Sequence, residues 1–311
     1  MKILRALVCP VLLCAALIGA TMSPVTADPI EIEHERGTLR LDGPATRVAT
    51  INWSFTESVI ALGLDPVAIA DPQDYVDWVA KPDLPENFVD LGPRASPNLE
   101  ALRAAKPDLI ITVPDIGMAY EKLAEIAPVL ELKLFDGKNP AFETAREAFG
   151  KIARATGRET QAQAYLDTVD QKLIEYGKRV KTAIGPDQKI NVVFFFDESN
   201  VGIFADTSLP GSVMTAMDVP VAYDGEVNKW GFGRGGLEIL APYAKGTLVY
   251  TNPVPEVILD KLLNSPIWKV MDFSRNNRVY ELPVVWAYGG VPSALRFARL
   301  LTETIESGPQ Q

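Results

Sequence analysis

The apolar and polar positions in the first half of the chain predict strands that alternate with helices. Short β-branched runs are typical of buried strands, and the longer segments between them repeat apolar residues at helical spacing. Ser54 with Glu57 three residues later has the pattern of a capping box, and Gly63 is a predicted helix stop. The predicted strands are Arg47–Asn52, Pro66–Ala70, Asp108–Val113 and Val129–Phe135; the predicted helices are Ser54–Leu62, Asn98–Ala105 and Met118–Ile126.

The middle of the chain, residues 141–184, has no strand signal and is helical in pattern throughout. After Gly157 the apolar residues recur in steps of four and three, which places them on one helix face that we interpret as a packing surface. We expect a helix from about Arg158 to Ala183, which would be about 40 Å long. Gly177 weakens this pattern. The apolar positions are Ala162, Leu166, Val169, Leu173, Tyr176 and Val180.

After Gly185 and Pro186 the alternation of strands and helices starts again. The predicted strands are Ile190–Phe196, Gly202–Ala205, Thr247–Thr251 and Arg278–Leu282; the predicted helices are Ser208–Met217, Gly236–Tyr243, Val254–Leu263 and Pro292–Ser307. This pattern predicts an α/β fold of two lobes joined by one long helix. Residues 28–140 form the predicted first lobe, 141–186 the linking helical segment and 187–311 the second lobe.

The first 27 residues are typical of a cleaved export signal. Lys2 and Arg5 precede an uncharged apolar stretch, Ala6–Ala20, and Val25–Ala27 has the small residues of a cleavage site. The stretch is too short to span a bilayer. Cys14 allows a lipid-anchored alternative, which the preceding Leu13 disfavours because lipoprotein processing requires a small residue there. We therefore expect an exported protein, located in the periplasm.

Charge and residue usage narrow the function classes. Without Lys2 and Arg5, 28 basic residues remain against 40 acidic ones, a formal charge of −12, which disfavours nucleic acid and anionic membranes as partners. Cleavage also removes both cysteines, and with them disulfides and thiolate chemistry. His34 is the only histidine and lies in an alternating stretch, so we expect an exposed strand there and neither a Ser-His-Asp triad nor a zinc site.

Several segments resemble the ferric-siderophore and cobalamin group of periplasmic binding proteins. The opening strand and helix of that group are similar to Arg47–Trp53 and Glu57–Gly63, and its most recognisable segment is similar to Asp90–Arg94, Pro97–Leu102 and Lys106–Ile110. A narrower likeness to the ferric hydroxamate-binding members is carried by further aromatic segments. These are Asp74–Trp78, Pro82–Pro85, Asn228–Gly231, Pro266–Trp268 and Val284–Gly289.

The resemblance implies a monomeric, non-enzymatic carrier with no intrinsic cofactor. It would bind a ferric siderophore, of hydroxamate type, and deliver it to an inner-membrane ABC permease and its ATPase. The iron arrives with its coordination complete, so the resemblance implies no metal ligands from the protein. An aromatic cleft with a few placed donors suits such a compact, largely apolar ligand.

The resemblance also implies ligand-binding residues. Arg94 matches the arginine that reaches the iron-bound hydroxamate oxygens, and its guanidinium offers several fixed donors. Trp230, Trp286 and Tyr288 match the aromatic wall of the second lobe, where the spacing of two puts Trp286 and Tyr288 on one face of an extended segment. The remaining assignments place Trp53 and Trp78 in the first-lobe wall and Trp268 in the core.

Permease docking is implied for one glutamate on each lobe, Glu100 and Glu238. The chain also departs from the pattern in two places. Asp115 and Ile116 stand where relatives offer a tyrosine, and a predicted glycine-rich loop, Phe232–Gly236, carries Arg234 where close relatives have small hydroxyl residues. An additional cation there would suit a siderophore that bears a carboxylate.

Two alternatives remain open at this point. A carrier of the same fold could take haem or cobalamin, in which case haem iron would have to be bound through tyrosines such as Tyr75, Tyr120 or Tyr288. An exported α/β enzyme is the other alternative. It is disfavoured because no histidine base lies in the main fold and no paired-carboxylate motif is present.

Overall fold

The computed structural model describes residues 29–114 and 120–309. The predicted signal peptide, its Cys14 and the departure at Asp115 and Ile116 lie outside these residues, as does the start of the helix predicted from Met118. No helix in the described ranges is long and apolar enough to cross a membrane.

A short hairpin precedes the first lobe. It pairs β1 (Ile30–His34) with β2 (Gly37–Leu41) in antiparallel register, and Ile32, Leu39 and Leu41 pack into the core. His34 is half-buried rather than exposed as predicted, because its Nδ1 accepts a hydrogen bond from the Glu131 amide at 3.3 Å and its ring stacks on Tyr120.

The first lobe contains a parallel sheet with the strand order β5-β4-β3-β6-β7. Its strands are short, and their apolar residues other than Val89 at the sheet edge are buried, because helices or loops cover both faces. The strands are β3 (Val48–Thr50), β4 (Ala68–Ile69), β5 (Val89–Asp90), β6 (Leu109–Thr112) and β7 (Val129–Glu131); the helices are α1 (Trp53–Ala61), α2 (Pro72–Trp78), α3 (Leu99–Ala105) and α4 (Tyr120–Ala124).

The capping box predicted at Ser54 is wrong. Asn52, with φ −129° and ψ 137°, is the N-cap of α1, and its side-chain oxygen accepts a hydrogen bond from the Ser54 amide at 2.9 Å. Helix α1 therefore begins one residue earlier than predicted. Glu57 is consequently not used as a cap and is free to make the buried contacts described below.

Two consecutive helices link the lobes: α5 (Ala141–Thr156) and α6 (Glu159–Ile184). The predicted long helix agrees with the 26-residue α6, whose apolar face is buried against neighbouring helices. Gly177 lies in the middle of α6 because the helix approaches another backbone there: an added Cβ would lie 1.8 Å from the Met217 carbonyl oxygen.

The second lobe contains a mixed sheet with the order β10-β9-β8-β11-β12. Strands β8, β11 and β12 are parallel, whereas β8, β9 and β10 are antiparallel neighbours. The strands are β8 (Ile190–Phe195), β9 (Asn200–Phe204), β10 (Phe232–Gly236), β11 (Thr247–Thr251) and β12 (Val279–Leu282); the helices are α7 (Leu209–Ala216), a 3₁₀ helix (Leu237–Tyr243), α8 (Glu256–Asn264), α9 (Pro266–Val270), α10 (Asp272–Arg275) and α11 (Val291–Ser307).

The glycine-rich segment Phe232–Gly236 is strand β10 and not the predicted loop. It pairs with β9 along its whole length, from Phe232 opposite Phe204 to Gly236 opposite Asn200. Glycine is needed at position 233 because the Tyr223 hydroxyl lies 2.0 Å from where its Cβ would be. Close packing, rather than chain flexibility, explains this glycine.

One hydrophobic core crosses from lobe to lobe. It joins Phe55 of α1, Phe149 of α5, Leu173 of α6 and Leu301 of α11, all of them buried. The two sheets are thus attached to a common helical layer. This layer fixes the distance between the loops that extend from the carboxyl ends of the strands.

Candidate functional site

A cavity of about 600 Å³ lies between the two lobes. Its size falls within the usual range for small-molecule sites. Loops at the carboxyl ends of β3, β5, β6, β7 and β12 form most of it, as is general for open α/β sheets, and the turn before β10 completes it. The described lining residues are Asn52, Ser54, Arg94, Val113, Pro114, Lys133, Leu134, Phe135, Asp136, Lys229, Trp230, Phe232, Trp286 and Tyr288.

Arg94 is held in the cavity wall by two contacts. Its Nε donates a hydrogen bond to Asp71 Oδ2 at 3.1 Å, and its guanidinium carbon lies 3.5 Å from the centre of the Trp53 ring. Both charged side chains are about one-third exposed or less. Within the described ranges only the Nε of Arg94 is engaged, so its two terminal nitrogens remain available as donors to a ligand.

Trp53 supports Arg94 and does not line the cavity as predicted. The indole is 1% exposed, and its Nε1 donates to the Asp71 carbonyl oxygen at 3.0 Å. The Arg94 guanidinium covers the ring, and Trp286 packs edge-on against it with ring centroids 4.9 Å apart. A stacked guanidinium gains cation–π attraction and loses side-chain freedom, so Trp53 orients the cation.

Three aromatic residues of the second lobe form one wall of the cavity. Tyr288 packs edge-on against Trp286 at 5.3 Å and against Trp230 at 5.4 Å between ring centroids. Trp286 and Tyr288 both line the cavity, as their spacing suggested, although their segment is not a regular strand. Burial raises the pKa of Tyr288 to about 12, so its hydroxyl stays protonated and can donate a hydrogen bond.

Trp78 and Arg234 lie outside the lining of the cavity. Trp78, on α2, is 37% exposed and touches the edge of Trp286 at 6.2 Å between ring centroids. Arg234 is exposed on β10, where its guanidinium lies 4.1 Å from the centre of the Phe196 ring. Because this cation lies against Phe196 and not in the cavity lining, the structure does not support a ligand contact for it.

Three further aromatic residues, Trp268, Tyr75 and Tyr120, are not among the residues that line the cavity. Trp268 is 3% exposed in the core of the second lobe, as predicted. Tyr75 is buried and donates to the Pro82 carbonyl oxygen at 2.8 Å, whereas Tyr120 lies against Arg36 and His34. Of the tyrosines considered for haem, only Tyr288 reaches the cavity.

The segment after β7 contributes residues that the sequence reasoning missed. Phe135 of the first lobe lies 5.5 Å from Trp230 and 6.1 Å from Tyr288, measured between ring centroids, and thereby joins the aromatic wall across the cleft. Asp136 accepts hydrogen bonds from the Asn139 amide, the Asn139 side chain and the Lys138 amide, and these bonds lower its pKa. The only sequence signal was their position at the carboxyl end of a predicted strand.

A buried carboxyl group supports the Trp286–Tyr288 segment from behind. Glu57 Oε1 accepts a hydrogen bond from the Gly290 amide at 2.5 Å, and Oε2 accepts one from Ser293 Oγ at 2.6 Å. Complete burial raises the pKa of Glu57 to about 8. Ser54 adds a second bridge, since its hydroxyl donates to the Tyr288 carbonyl oxygen at 2.9 Å.

The two glutamates predicted to dock a permease are both exposed. Glu100 is in the first turn of α3, and Glu238 is in the first turn of the 3₁₀ helix Leu237–Tyr243. Neither forms an ion pair with any described residue. Among all the residues that the structure describes, no group of three or more His, Cys, Asp or Glu side chains could hold a metal ion.

Comparison with known proteins agrees with this architecture. The sequence profile described as "Periplasmic binding protein" matches residues 48–285. The chain is 30% identical over 260 residues to the iron(3+)-hydroxamate-binding protein FhuD of Escherichia coli, covering 83% of this chain and 86% of that one. It is 26% identical to the Fe(3+) dicitrate-binding periplasmic protein FecB of Escherichia coli, covering 86% and 87% of the two chains.

Among solved structures, the siderophore-binding protein FhuD from Vibrio cholerae, bound to Fe3+-Desferal, superimposes with a TM-score of 0.78 at 29% identity. The match covers 85% of this chain and 99% of that one. Two α/β lobes joined by a long helix are thus common to the two proteins. Together with the profile match, which spans both sheets, this shows that the chain belongs to the periplasmic binding protein family.

Proposed function

We propose that this protein is the solute-binding component of an ABC importer and that it carries a ferric siderophore with a hydroxamate core. The single observation that carries the proposal is Arg94, fixed by Asp71 and Trp53 in the wall of an aromatic cavity of about 600 Å³. Relatives named for ferric hydroxamate binding support the choice of ligand.

The chemistry of the cavity suits a pre-formed iron complex. The hydroxamate oxygens that hold the iron retain lone pairs, and the terminal nitrogens of Arg94 are donors for them. Trp230, Trp286, Tyr288 and Phe135 provide a large apolar surface for the remainder of the ligand. A carrier of this kind binds and releases its cargo without changing it.

Delivery would use the exposed glutamates on the two lobes. Glu100 and Glu238 lie at the starts of helices and have no ion-pair partner among the described residues, so both are available to basic residues of a permease. Charged contacts of this kind set orientation and encounter rate more than affinity. The export signal predicted in the first 27 residues is consistent with a periplasmic place of action.

A fluorescence titration tests the ligand. Because Trp230 and Trp286 line the cavity, a ferric hydroxamate such as ferrioxamine B should quench the tryptophan emission with one-to-one stoichiometry and remain chemically unaltered. The iron-free siderophore is the control and should bind far more weakly, because its chain is not pre-organised around iron. Strong binding of haemin with no response to ferric hydroxamates would overturn the proposal.

A further inference from the structure

Two lysines line the same cavity as Arg94, one from each lobe. Lys133 follows β7 of the first lobe, and Lys229 precedes β10 of the second. Both side chains are exposed, and neither forms an ion pair with a carboxylate in residues 29–114 or 120–309. Lys229 Nζ lies 5.3 Å from the centre of the Trp230 ring, which places its charge beside the aromatic wall.

The acidic groups near the cavity cancel these charges only in part. Asp71 is paired with Arg94, and Asp136, the one acid among the described lining residues, accepts three hydrogen bonds from its own turn and also feels the charge of Lys133, all of which lower its pKa. Two lysines against this one carboxylate leave one positive charge in excess at the site. The positive charge is local to the cavity, because the chain as a whole has a formal charge of −12 after signal cleavage.

The two lysine-bearing segments touch each other where they line the cavity. Gly137, four residues after Lys133, adopts φ +70° and packs against the backbone next to Lys229. An added Cβ at position 137 would lie only 2.4 Å from the Asn228 carbonyl oxygen. The segments that carry the two lysines are therefore in contact with each other across the cleft.

We infer that Lys133 and Lys229 select ferric siderophores that carry a free carboxylate outside the iron shell. This inference rests on the proposed function and specifies its ligand. The charges of the hydroxamates cancel that of the ferric ion, so the net charge of such a ligand resides in its substituents. Arg94 interacts with the iron-bearing core, whereas the two lysines interact with the substituent. This is the role that the sequence alone suggested for Arg234, which lies outside the cavity lining.

Three ligands with one iron core test the inference. Ferrioxamine B has a pendant ammonium group, its N-acetyl derivative is neutral there, and its N-succinyl derivative ends in a carboxylate. Fluorescence titration of the wild-type protein at low salt should give the tightest binding for the N-succinyl complex, by about tenfold over ferrioxamine B. Added salt should reduce this preference, because screening weakens the attraction between exposed charges.

The double variant Lys133→Met and Lys229→Met keeps the apolar stems and removes both charges. It should bind all three complexes with nearly equal affinity. Lys138→Met is the matched control, because Lys138 is an exposed lysine of the same segment that does not line the cavity. This variant should keep the wild-type preference.

The outcomes separate this inference from the proposed function. Equal wild-type affinity for the three complexes would overturn the charge selection and leave the ferric hydroxamate function standing. A preference that survives in the double variant would remove Lys133 and Lys229 as its source. Failure of all three complexes to bind would overturn the proposed function itself, and the inference with it.

Discussion

The guanidinium of Arg94 is positioned by groups from separate segments of the first lobe. The Asp71 side chain accepts a hydrogen bond from Arg94 Nε, and its backbone carbonyl oxygen accepts one from Trp53 Nε1. One residue therefore holds both the cation and the ring that supports it. Asp71 itself adopts a left-handed conformation with φ 58°, which aspartate tolerates better than most residues. The cation is thus fixed before any ligand arrives, which reduces the entropy lost on binding.

Replacing Arg94 by alanine should weaken binding of a ferric hydroxamate by about 1.5–3 kcal/mol, the usual range for a hydrogen bond to a charged group. This corresponds to about a 13- to 160-fold increase in Kd, measured by fluorescence titration. Arg103→Ala is the matched control, since Arg103 is an exposed arginine of α3 that pairs loosely with Glu125 at 3.7 Å. Unchanged affinity in Arg94→Ala would remove this residue from the site.

The site residues that could be predicted from the sequence are those that belong to recognisable segments. Arg94, Trp230, Trp286 and Tyr288 came from the family resemblance, and the structure brings them to one cavity. Phe135 and Lys133 were missed because their positions depend on how the two lobes approach each other. No local pattern around β7 contains that information.

Helix α1 and the N-terminus of helix α11 are joined by the Glu57 carboxyl, which is the main polar contact between these elements. Its burial fixes the Trp286–Tyr288 segment, which lies just before α11, against the first lobe. The charge of Arg296 also acts on Glu57, and burial lowers the pKa of Arg296 itself. The bridge therefore depends on the protonation state of a single buried group.

The stability of the protein should fall between pH 5 and pH 8 because of Glu57. Its pKa is about 8 in the folded state against 4.5 ordinarily, so across this window the folded protein keeps a proton that the unfolded chain has released. The stabilisation is fully present below the lower pKa and is lost as the pH rises through the upper one. Between pH 5 and pH 8 the free energy of unfolding of the wild type should therefore fall, relative to that of the Glu57→Gln variant, by on the order of a few kcal/mol.

Urea unfolding of both proteins at the two pH values measures this difference. Subtracting the pH dependence of the glutamine variant from that of the wild type cancels the contributions of the other titrating groups, His34 among them. Glu100→Gln, at an exposed glutamate, should follow the wild-type pH dependence. Parallel pH profiles for the wild type and Glu57→Gln would show that Glu57 is ionised in the folded protein.

Substituting alanine for a helical glycine should have opposite effects on stability in α6 and in α5. In α6, Gly177→Ala would force a Cβ to within 1.8 Å of the Met217 carbonyl oxygen, so we expect a loss of about 1–3 kcal/mol or more from overpacking. In α5, Gly150→Ala meets no atom within 4 Å and should stabilise the helix by about 0.5–1 kcal/mol. Thermal unfolding measures both, and equal effects would contradict the close packing of α6 on α7.

The elements themselves were predictable to different degrees. The limits of α6 could be predicted from the sequence because its apolar residues recur at local helical spacing over many turns. Strand β10 could not, because its glycines resemble a loop unless its pairing with β9 and the covering Tyr223 ring are known. Helix α2 was also not predicted, although Asp71 and Pro72 are residue types that favour a helix start. The structure uses them without the usual cap, since Asp71 is left-handed and its side chain makes no capping hydrogen bond.

Across the whole molecule, the shared core makes the lobes one mechanical unit. Helices α1, α5, α6, α7 and α11 contribute to the same buried cluster, so a wide opening of the cleft would expose apolar surface from both lobes. Small adjustments of the loops around the cavity are compatible with this packing. The separation of the docking surfaces of the two lobes should therefore change little when a ligand binds.

A rigid frame gives Glu100 and Glu238 a fixed spacing that a permease can engage. Replacing both with alanine should leave the fluorescence titration unchanged, because neither residue lines the cavity, and should abolish uptake of radioactive iron by cells that depend on this protein. Glu121→Ala with Glu256→Ala is the matched control, since these are exposed glutamates in the first turns of α4 and α8. The control pair should keep uptake, because register at a polar interface depends on where charges lie and not on their number. Uptake that survives in the Glu100 and Glu238 variant would place the permease contact elsewhere on the two lobes.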